Sequence, residues 1–445
     1  ERFAPFKALA DMATRFLEQA AVAYASRQFV VDLAVWFHLA WLGETVRLGD
    51  PRVQVLIDRE RDFTAEDCRT LLEIIGDILA GLIPRYRRLM GSGQVELSIT
   101  PYGHPIVPLM LDFRSAREAQ PAAELPAQRE YPGGDDRASW HIARAVQVFT
   151  GAFGVQPRGC WPAEGGVSAR TLALLDDFGF DWVATGEAVL RHSLSASHAW
   201  DAERHVRLLH RPYHLPGQDV RCFFRHDGLS DLIGFTYSTW HGDDAAINFV
   251  HHLEHLGALF ENEPDRVVAI VLDGENAWEY YPHNAYFFLK ALYQRLAEHP
   301  RLRLTTFSQC LAEGIAAPEL KQLVAGSWVH GNFSTWIGQP AKNRAWELLC
   351  EAKRAFDRVV VEGALTDEEQ LAAERQLGIC EGSDWCWWFG DDNPAESVQS
   401  FDALYRRHLT NLYRILGEEV PADLSQGISL GGGAAELGGV MKRSA

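Results

Sequence analysis

Apolar positions follow two different periods along the chain, and these periods predict its elements. Residues 5–48 and 64–89 carry apolar side chains at helical spacing, and Thr64 is a typical N-cap for the second of these stretches. Helical patterns also cover 138–152, 167–178, 243–257 and 284–298. Short apolar runs between them are typical of buried strands, at 95–100, 159–161, 182–185, 220–225, 267–273 and 302–306. Residues 115–137, rich in Pro, Ala and Gly, predict a long surface loop.

Alternation of short apolar strands with helices predicts an α/β protein built from parallel βα units. Five or six such strands suit a βα barrel or a doubly wound sheet. After about residue 310 the strand pattern stops, and 340–358, 366–377 and 396–416 predict a helical region. We expect three parts: 1–310 with the strands, 311–424 with the helices, and a Gly-rich, disordered tail at 425–445.

Composition narrows the classes of function. The chain has 60 acidic and 42 basic residues, a net charge of −18, which argues against binding nucleic acid or an anionic membrane surface. The most apolar early stretch, 29–42, is shorter than the about 20 residues that span a bilayer. Seven scattered Cys without a CxxC pair predict a reduced, cytoplasmic protein. The 14 Trp either pack the core or offer flat faces to sugar rings.

Two carboxylates stand where two predicted parallel strands end. Glu164 follows Trp161 and the first strand of the alternating region, and Asp273 ends the most apolar strand of the chain. Because parallel βα folds collect function at the carboxyl ends of strands, these residues are the leading catalytic candidates. Paired carboxylates near a Trp suit glycoside cleavage, in which one attacks the anomeric carbon and the other protonates the leaving oxygen. Structural alternatives are an acid at a helix N-terminus for Glu164 and an N-cap for Asp273.

Further polar residues cluster near the predicted strand ends, and each has a structural alternative. Glu96 and His104 flank the strand 95–100 and either line a site or form a salt bridge. Another cluster follows the strand 220–225 and either binds substrate or braces a loop. Glu275 stands two residues after Asp273, where its charge would raise the pKa of a catalytic acid. The cluster that follows the strand 220–225 consists of Arg225, His226 and Asp227. Trp240 is a further substrate candidate, and the structural alternative is that it lies in a surface loop.

Four motifs closely resemble glycoside hydrolase family 57, most strongly its amylopullulanase and α-amylase branch. They are Gly93–His104, Trp-Pro-Ala-Glu-Gly at 161–165, Leu-Asp-Gly-Glu-Asn-Ala-Trp-Glu at 272–279, and Trp-Cys-Trp-Trp-Phe-Gly-Asp-Asp at 385–392. The resemblance implies an incomplete seven-stranded (β/α) barrel, followed by an all-helical domain that closes over the cleft. It also implies a retaining mechanism on α-glucans such as starch, glycogen or maltodextrins.

The resemblance also assigns roles to residues. It implies Glu164 as nucleophile and Asp273 as general acid/base. Glu96 and His104 match the motif that lines the subsites, and Trp161 and Trp278 would be platforms for sugar stacking. The family's first motif, a His-x-His-x-Pro sequence, is absent before Gly93, so we expect the first barrel strand or two to be missing.

The helical region adds aromatic candidates. The irregular stretch 326–338, rich in small and aromatic residues, predicts a loop over the mouth of the site. Trp336, Trp387 and Trp388 either line the sugar cleft or pack helices onto the barrel. Asp391, in the fourth motif, either braces that interface or binds sugar hydroxyls.

The leading hypothesis is a glycosidase that cleaves α-1,4 bonds of an α-glucan or maltooligosaccharide, with no cofactor and no metal; cleavage of α-1,6 bonds is left open. A 4-α-glucanotransferase or branching enzyme on the same site is the first alternative. The second is a zinc hydrolase like α-mannosidases or deacetylases, with His104, Asp227 and Asp273 as ligands, although close metal-ligand spacing is absent. The third is a glucan-binding protein without catalysis. The sequence gives no prediction of oligomeric state.

Overall fold

The chain is a mostly helical α/β protein with a small parallel sheet. A computed structural model describes residues 3–261, 263, 266–274 and 276–433. The strands β1 (Gly159–Cys160), β2 (Trp182–Thr185) and β3 (Arg221–Phe224) lie side by side in that order, all parallel. Nearly every strand residue is buried, as expected for a parallel sheet that is covered on both faces.

Two further predicted strands flank the sheet but pair with it at one residue each. Ile99 forms a parallel bridge with Cys160, and Ala269 forms one with Arg225. The predicted strand 267–273 is wrong as a regular strand because side chains take its backbone groups: Val271 donates its N–H to the Ser230 hydroxyl and accepts from the Arg225 guanidinium. The predicted strands 95–100 and 302–306 likewise form no regular ladder within the described residues.

Most predicted helices are present, with bounds shifted by a few residues. The predicted helix 5–48 is three helices, and the predicted loop 115–137 contains a short helix and the start of a long one. The α-helices are Ala4–Glu18, Arg27–Trp41, Glu44–Gly49, Pro51–Arg59, Ala65–Gly91, Val107–Leu111, Ala116–Ala119, Gly134–Phe153, Ala169–Asp177, Glu187–Ala196, His205–Leu209, Asp227–Asp231, Gly242–Leu259, Asn276–Tyr280, Tyr286–Ala297, Phe307–Ala312, Pro340–Glu362, Asp367–Cys380, Asp384–Trp388 and Ala395–Ile415.

Side-chain caps explain where several helices begin. Thr64 and Thr366 each form a capping box with the acid three residues later, and Ser26 accepts a hydrogen bond from the Phe29 N–H. Each cap satisfies N–H groups that have no partner within the helix. Short 3₁₀ or π turns complete the chain at Val22–Tyr24, Phe113–Ser115, Ala163–Gly165, Ala202–Arg204, Leu232–Thr236, Tyr237–Thr239, Pro282–Ala285 and Ala422–Ser425.

Residue contacts divide the chain into two compact units. The helical unit contains Glu1–Val95, Ser238–Val250 and Trp278–Glu298, and the sheet unit contains Glu96–Tyr237, His251–Ala277 and His299–Ala445. The helical unit has its own core, which includes Trp36, Leu39 and Ile74. Large clusters of buried apolar residues in the sheet unit lie around the strands and among the helices from 340 onward, and smaller ones accompany them. The division at 1–310, 311–424 and 425–445 stays a prediction.

The predicted tail is ordered over its first part. Ser429 is buried and its hydroxyl accepts a hydrogen bond from the Gly390 N–H, while Asp402 accepts one from the Ile428 N–H. Disorder was therefore the wrong prediction for 425–433, and residues 434–445 lie outside the described part. Among the described residues, no helix is both long and apolar enough to cross a bilayer. All seven cysteines are free thiols, six of them buried.

A buried charge cluster ties the sheet unit's long helix Gly134–Phe153 to the helix Asp367–Cys380. The Glu381 carboxylate accepts hydrogen bonds from Arg137 at 2.7 Å and from the Tyr131 hydroxyl at 2.6 Å, and His141 Nε2 lies 2.7 Å from it. Burial would raise the pKa of Glu381, but Arg137 and His141 outweigh it and lower the pKa to about 2.

We expect Glu381→Gln to lower the free energy of unfolding by about 3–5 kcal/mol at pH 7, since it leaves Arg137 buried without its counter-charge. A carboxylate whose pKa falls on folding contributes stability above its ordinary value of 4.5, and this is lost as the pH falls towards about 2. The difference from wild type should therefore shrink over that interval in urea titrations. Glu368→Gln, at an exposed position of the neighbouring helix, is the control; an equal loss in both variants would contradict the assignment.

Candidate active site

Glu164 lies in a tight turn at the carboxyl end of β1. Its backbone is left-handed, with φ 56°, and Gly165 continues with φ 59°. The turn is closed by the Gly165 N–H, which donates to the Pro162 carbonyl at 2.8 Å. A Cβ on Gly165 would lie 2.9 Å from the Trp161 ring, so the close approach requires glycine. Strained non-glycine residues cluster at functional sites, and here the strain fixes the direction of a half-buried carboxylate.

Trp328 holds this carboxylate. Its indole Nε1–H donates to Glu164 Oε2 at 3.0 Å, and its backbone N–H donates to the Glu164 carbonyl at 3.1 Å. The Trp161 ring packs edge-on against Trp328, with centroids 5.2 Å apart. The chain reaches this position because Gly326 pairs with Val167, just after the Glu164 turn. The predicted loop 326–338 is therefore anchored beside Glu164.

Arg225, at the end of β3, reaches from this tryptophan to the segment before Asp273. Its guanidinium carbon lies 5.3 Å from the Trp328 ring centroid, in a cation–π arrangement. Its Nε–H donates to the Val271 carbonyl at 2.9 Å. Its two terminal nitrogens donate to Asp227 at 2.8 Å and Asp231 at 2.7 Å. Only 4% of Arg225 is exposed, and these hydrogen bonds make it a buried brace; its role in substrate binding stays a prediction.

Asp273 stands two residues beyond the carbonyl that Arg225 holds. It is half-buried and lies at the end of the segment that runs parallel to β3 through the Ala269 bridge. Glu164 and Asp273 therefore follow parallel segments on either side of β2 and β3, at the same end of the sheet. The contacts from Glu164 through Trp328 and Arg225 to Val271 connect the two predicted catalytic positions.

Further ionisable groups crowd the same end of the sheet. The Asp227 N–H donates to Glu187 at 3.0 Å, and Glu187 also pairs with His205 at 2.6 Å. Burial, reinforced by Glu187, raises the pKa of Asp227 to about 6 although Arg225 opposes the shift. Burial lowers the pKa of His226, whose ring stacks on His210 at 5.3 Å. His226 is therefore placed as part of this charged layer, with its Nδ1 accepting from the Leu229 N–H.

Glu96 is not brought to Glu164. Its carboxylate accepts hydrogen bonds from Trp182 Nε1 at 2.8 Å and from the Ser308 N–H at 3.1 Å. Trp182 is the first residue of β2, so Glu96 lies at the amino end of the sheet, opposite the Glu164 end. Because protein groups bind its carboxylate, this geometry favours the structural alternative for Glu96, and its place in a substrate cleft stays a prediction.

The other predicted substrate residues separate into several places. His104 Nδ1 lies 2.8 Å from the Ser383 hydroxyl, at the junction with the helical region. Trp336 is a correction, because its exposed fraction is 0% and its ring packs on Trp387 inside the core. Trp388 is half-buried and stacks on Phe401 at 4.8 Å.

Four remaining candidates are placed elsewhere or not described. Asp391 is exposed on the surface of the sheet unit. Trp240, 43% exposed, and Trp278, whose ring tilts against Tyr281, belong to the helical unit. Glu275 lies outside the described residues. Among the residues that are described, no group of three His, Cys, Asp or Glu is placed to hold a metal ion.

Sequence reasoning missed three residues of the site, Trp328, Glu187 and His205. Trp328 was counted in the aromatic loop, but nothing in the spacing singled it out from Trp336. Glu187 opens the helix after β2, and this position at a strand's carboxyl end was the signal that could have revealed it.

We expect Arg225→Gln to destabilise the fold by about 3–5 kcal/mol at pH 8, because it leaves two carboxylates facing each other in a buried site. An acid whose pKa is raised on folding binds its proton more tightly when folded, so wild-type stability falls as the pH rises from 3.8 to about 6. Removal of Arg225 raises that pKa further, so the variant should lose more at pH 8 than at pH 5. Urea titrations at both pH values measure this.

Arg221→Gln is the matched control on the same strand, since Arg221 donates to the backbone carbonyls of Gln218 and Asp219. A pH-independent loss for Arg225→Gln would contradict a role in balancing Asp227 and Asp231.

Comparison with known proteins completes the description of the site. The family model described as glycosyl hydrolase family 57 matches residues 13–320. The chain is similar to a GH57 branching enzyme from Thermococcus kodakaraensis, with 16% identity, TM-score 0.60, and coverage of 89% of this chain and 80% of that one. It is also similar to an α-amylase from Thermotoga maritima, with 15% identity and a TM-score of 0.59, and the match covers 87% of this chain and 78% of the amylase. For a 4-α-glucanotransferase from Thermococcus litoralis the identity is 16% and the TM-score is 0.50, and the match covers 78% of this chain and 52% of the transferase.

Proposed function

Because the chain belongs to glycoside hydrolase family 57, we propose that it cleaves α-1,4 bonds of α-glucans by a retaining mechanism. The observation that carries the proposal is the set of contacts from Glu164 through Trp328 and Arg225 to Val271, two residues before Asp273. It supports a site with two carboxylates at the ends of separate parallel segments. We further infer that the sheet belongs to the seven-stranded barrel expected from the sequence.

In the first step of the proposed reaction, Glu164 attacks the anomeric carbon. A carbon–oxygen ester bond forms with the enzyme while the glycosidic bond breaks, and Asp273 gives its proton to the leaving oxygen. In the second step, Asp273 takes a proton from water, whose oxygen attacks the same carbon and displaces Glu164. Two inversions retain the configuration of the sugar.

The turn at Glu164 contributes orientation to this chemistry. Its left-handed backbone and the 3.0 Å bond from Trp328 fix the carboxylate before substrate arrives. Preorganisation of this kind lowers the entropic cost of reaching the transition state. Trp161, beside Trp328, offers a partly exposed ring for a sugar face.

Transfer to a sugar hydroxyl is the second candidate. Branching enzyme and 4-α-glucanotransferase are among the proteins to which the fold is similar. The intermediate is the same in both reactions, and only its acceptor differs, water or a sugar hydroxyl. Chromatography of maltoheptaose products separates them, because transfer gives longer chains as well as shorter ones. New α-1,6 linkages would identify branching.

We expect Glu164→Gln to lower kcat on maltoheptaose at least about 10³-fold, because an amide cannot form the ester intermediate. It should also be inactive on an aryl maltoside with a good leaving group. Asp273→Asn should differ: that leaving group departs without protonation, so a burst of the phenol should precede slow turnover. Equal behaviour of the two variants on the aryl substrate would contradict the division of roles.

We expect Trp328→Phe to lower kcat about 10- to 100-fold, with KM changed less than about threefold, because the ring remains while the hydrogen bond that orients Glu164 is lost. Trp41→Phe, at a 63% exposed position in the helical unit, is the control for loss of an indole. Unchanged kcat in Trp328→Phe, with an unchanged thermal midpoint, would show that the bond has no role in positioning Glu164.

A further inference from the structure

The helical unit contains a cavity of about 310 Å³ that the proposed catalytic chemistry does not use. Residues 43–45, at the start of a short helix, form one wall. The turn at 283–284 and one face of the helix Tyr286–Ala297 form the other. All of these residues belong to the same unit, so the cavity is built within it. Its volume is at the lower end of the range for small-molecule sites, about 300–1,000 Å³.

A buried ion pair holds Glu44, one of the residues that line the cavity. Glu44 is 3% exposed and Arg47 is 6% exposed, and their side chains join at 2.9 Å. His283 Nδ1 lies 3.3 Å from the second Glu44 oxygen, and Arg47 also donates to Asn284 at 3.3 Å. Burial of two charges is costly unless both are hydrogen-bonded, and this network fixes a carboxylate and an amide at the cavity wall.

The turn that carries His283 and Asn284 is strained. His283, Asn284 and Ala285 have φ of 56°, 54° and 58°, three consecutive left-handed residues without a glycine. Residues other than glycine rarely adopt this backbone conformation, and it persists where the surrounding structure imposes it. The strain turns the His283 and Asn284 side chains towards Glu44 and Arg47, respectively.

Aromatic side chains of the helix Tyr286–Ala297 also line the cavity. Tyr286 and Tyr293 are seven residues apart on the same helix, so they share one face, with Lys290 between them. Lys290 Nζ lies 6.0 Å from the Tyr286 ring centroid, and Tyr293 is 58% exposed. The cavity lining therefore combines flat rings with a carboxylate, an imidazole and an amide.

We propose that this cavity binds a glucosyl unit of the α-glucan, as a second carbohydrate site outside the catalytic residues. A sugar hydroxyl both donates and accepts, so it matches the carboxylate of Glu44 and the ammonium of Lys290. The C–H face of the ring packs on Tyr293. An anionic ligand would meet the Glu44 carboxylate and a cationic one the Lys290 ammonium, which favours a neutral polyol. The choice of α-glucan rests on the proposed function.

The test counts maltoheptaose sites by isothermal titration calorimetry on the full chain carrying Glu164→Gln, which does not consume the ligand. We expect about two sites per chain, and about one after Tyr293→Ala is added, because that ring provides the stacking face. Tyr24→Ala, at an 86% exposed position in the same unit that does not line the cavity, should leave two sites. Lys290→Ala should weaken the second site at least about fivefold without changes to the fold.

A single site in the Glu164→Gln chain, or equal titrations for Tyr293→Ala and Tyr24→Ala, would overturn the second site. Product formation by the chain with Glu164 intact tests the proposed function separately. If the chain cleaves maltoheptaose but binds it at one site, only the cavity proposal is wrong. If the chain binds maltoheptaose at two sites but forms no products by cleavage or transfer, only the catalytic proposal is wrong.

Discussion

The buried guanidinium of Arg225 is the interaction on which the site depends. Five N–H groups in one rigid plane allow it to reach Asp227, Asp231 and the Val271 carbonyl at the same time. Its face remains available to Trp328. A lysine has neither the fork nor the flat face, so no other side chain would connect β3, the segment before Asp273 and the loop beside Glu164 in this way.

This constraint also explains why the sheet ends as it does. The segment 267–273 runs beside β3, yet its backbone binds side chains of neighbouring loops where a regular strand would bind another strand. The segment therefore lacks regular strand pairing, but these hydrogen bonds fix the position of the residues that precede Asp273. The left-handed turn at Glu164 has the same character: its conformational cost of about 1–3 kcal/mol persists because Gly326 and Trp328 hold the surrounding chain.

Much of the architecture could be predicted from local pattern. Strand β2 was predicted with its observed bounds, and nearly every long helix was predicted within a few residues, because apolar periodicity and caps are local signals. The predicted strand 302–306 was wrong, and the predicted loop 115–137 holds a short helix at Ala116–Ala119 and the start of Gly134–Phe153. Ladder partners and short helices depend on residues far away in the chain. Four ordered motifs were enough to indicate the family, and the family match over 13–320 confirms it.

Residue types and their order along the chain thus indicated the α/β class and the family, and predicted Glu164 and Asp273 as the pair of catalytic carboxylates. Burial and contact gave the rest. Hydrogen bonds from Trp182 and Ser308 hold Glu96 at the amino end of the sheet, and Trp336 is completely buried. Trp328 lies beside Glu164 because a loop 164 residues later in the chain packs there. Periodicity reports how a segment meets its immediate surroundings, whereas such contacts depend on how distant segments pack, and no local pattern encodes that choice.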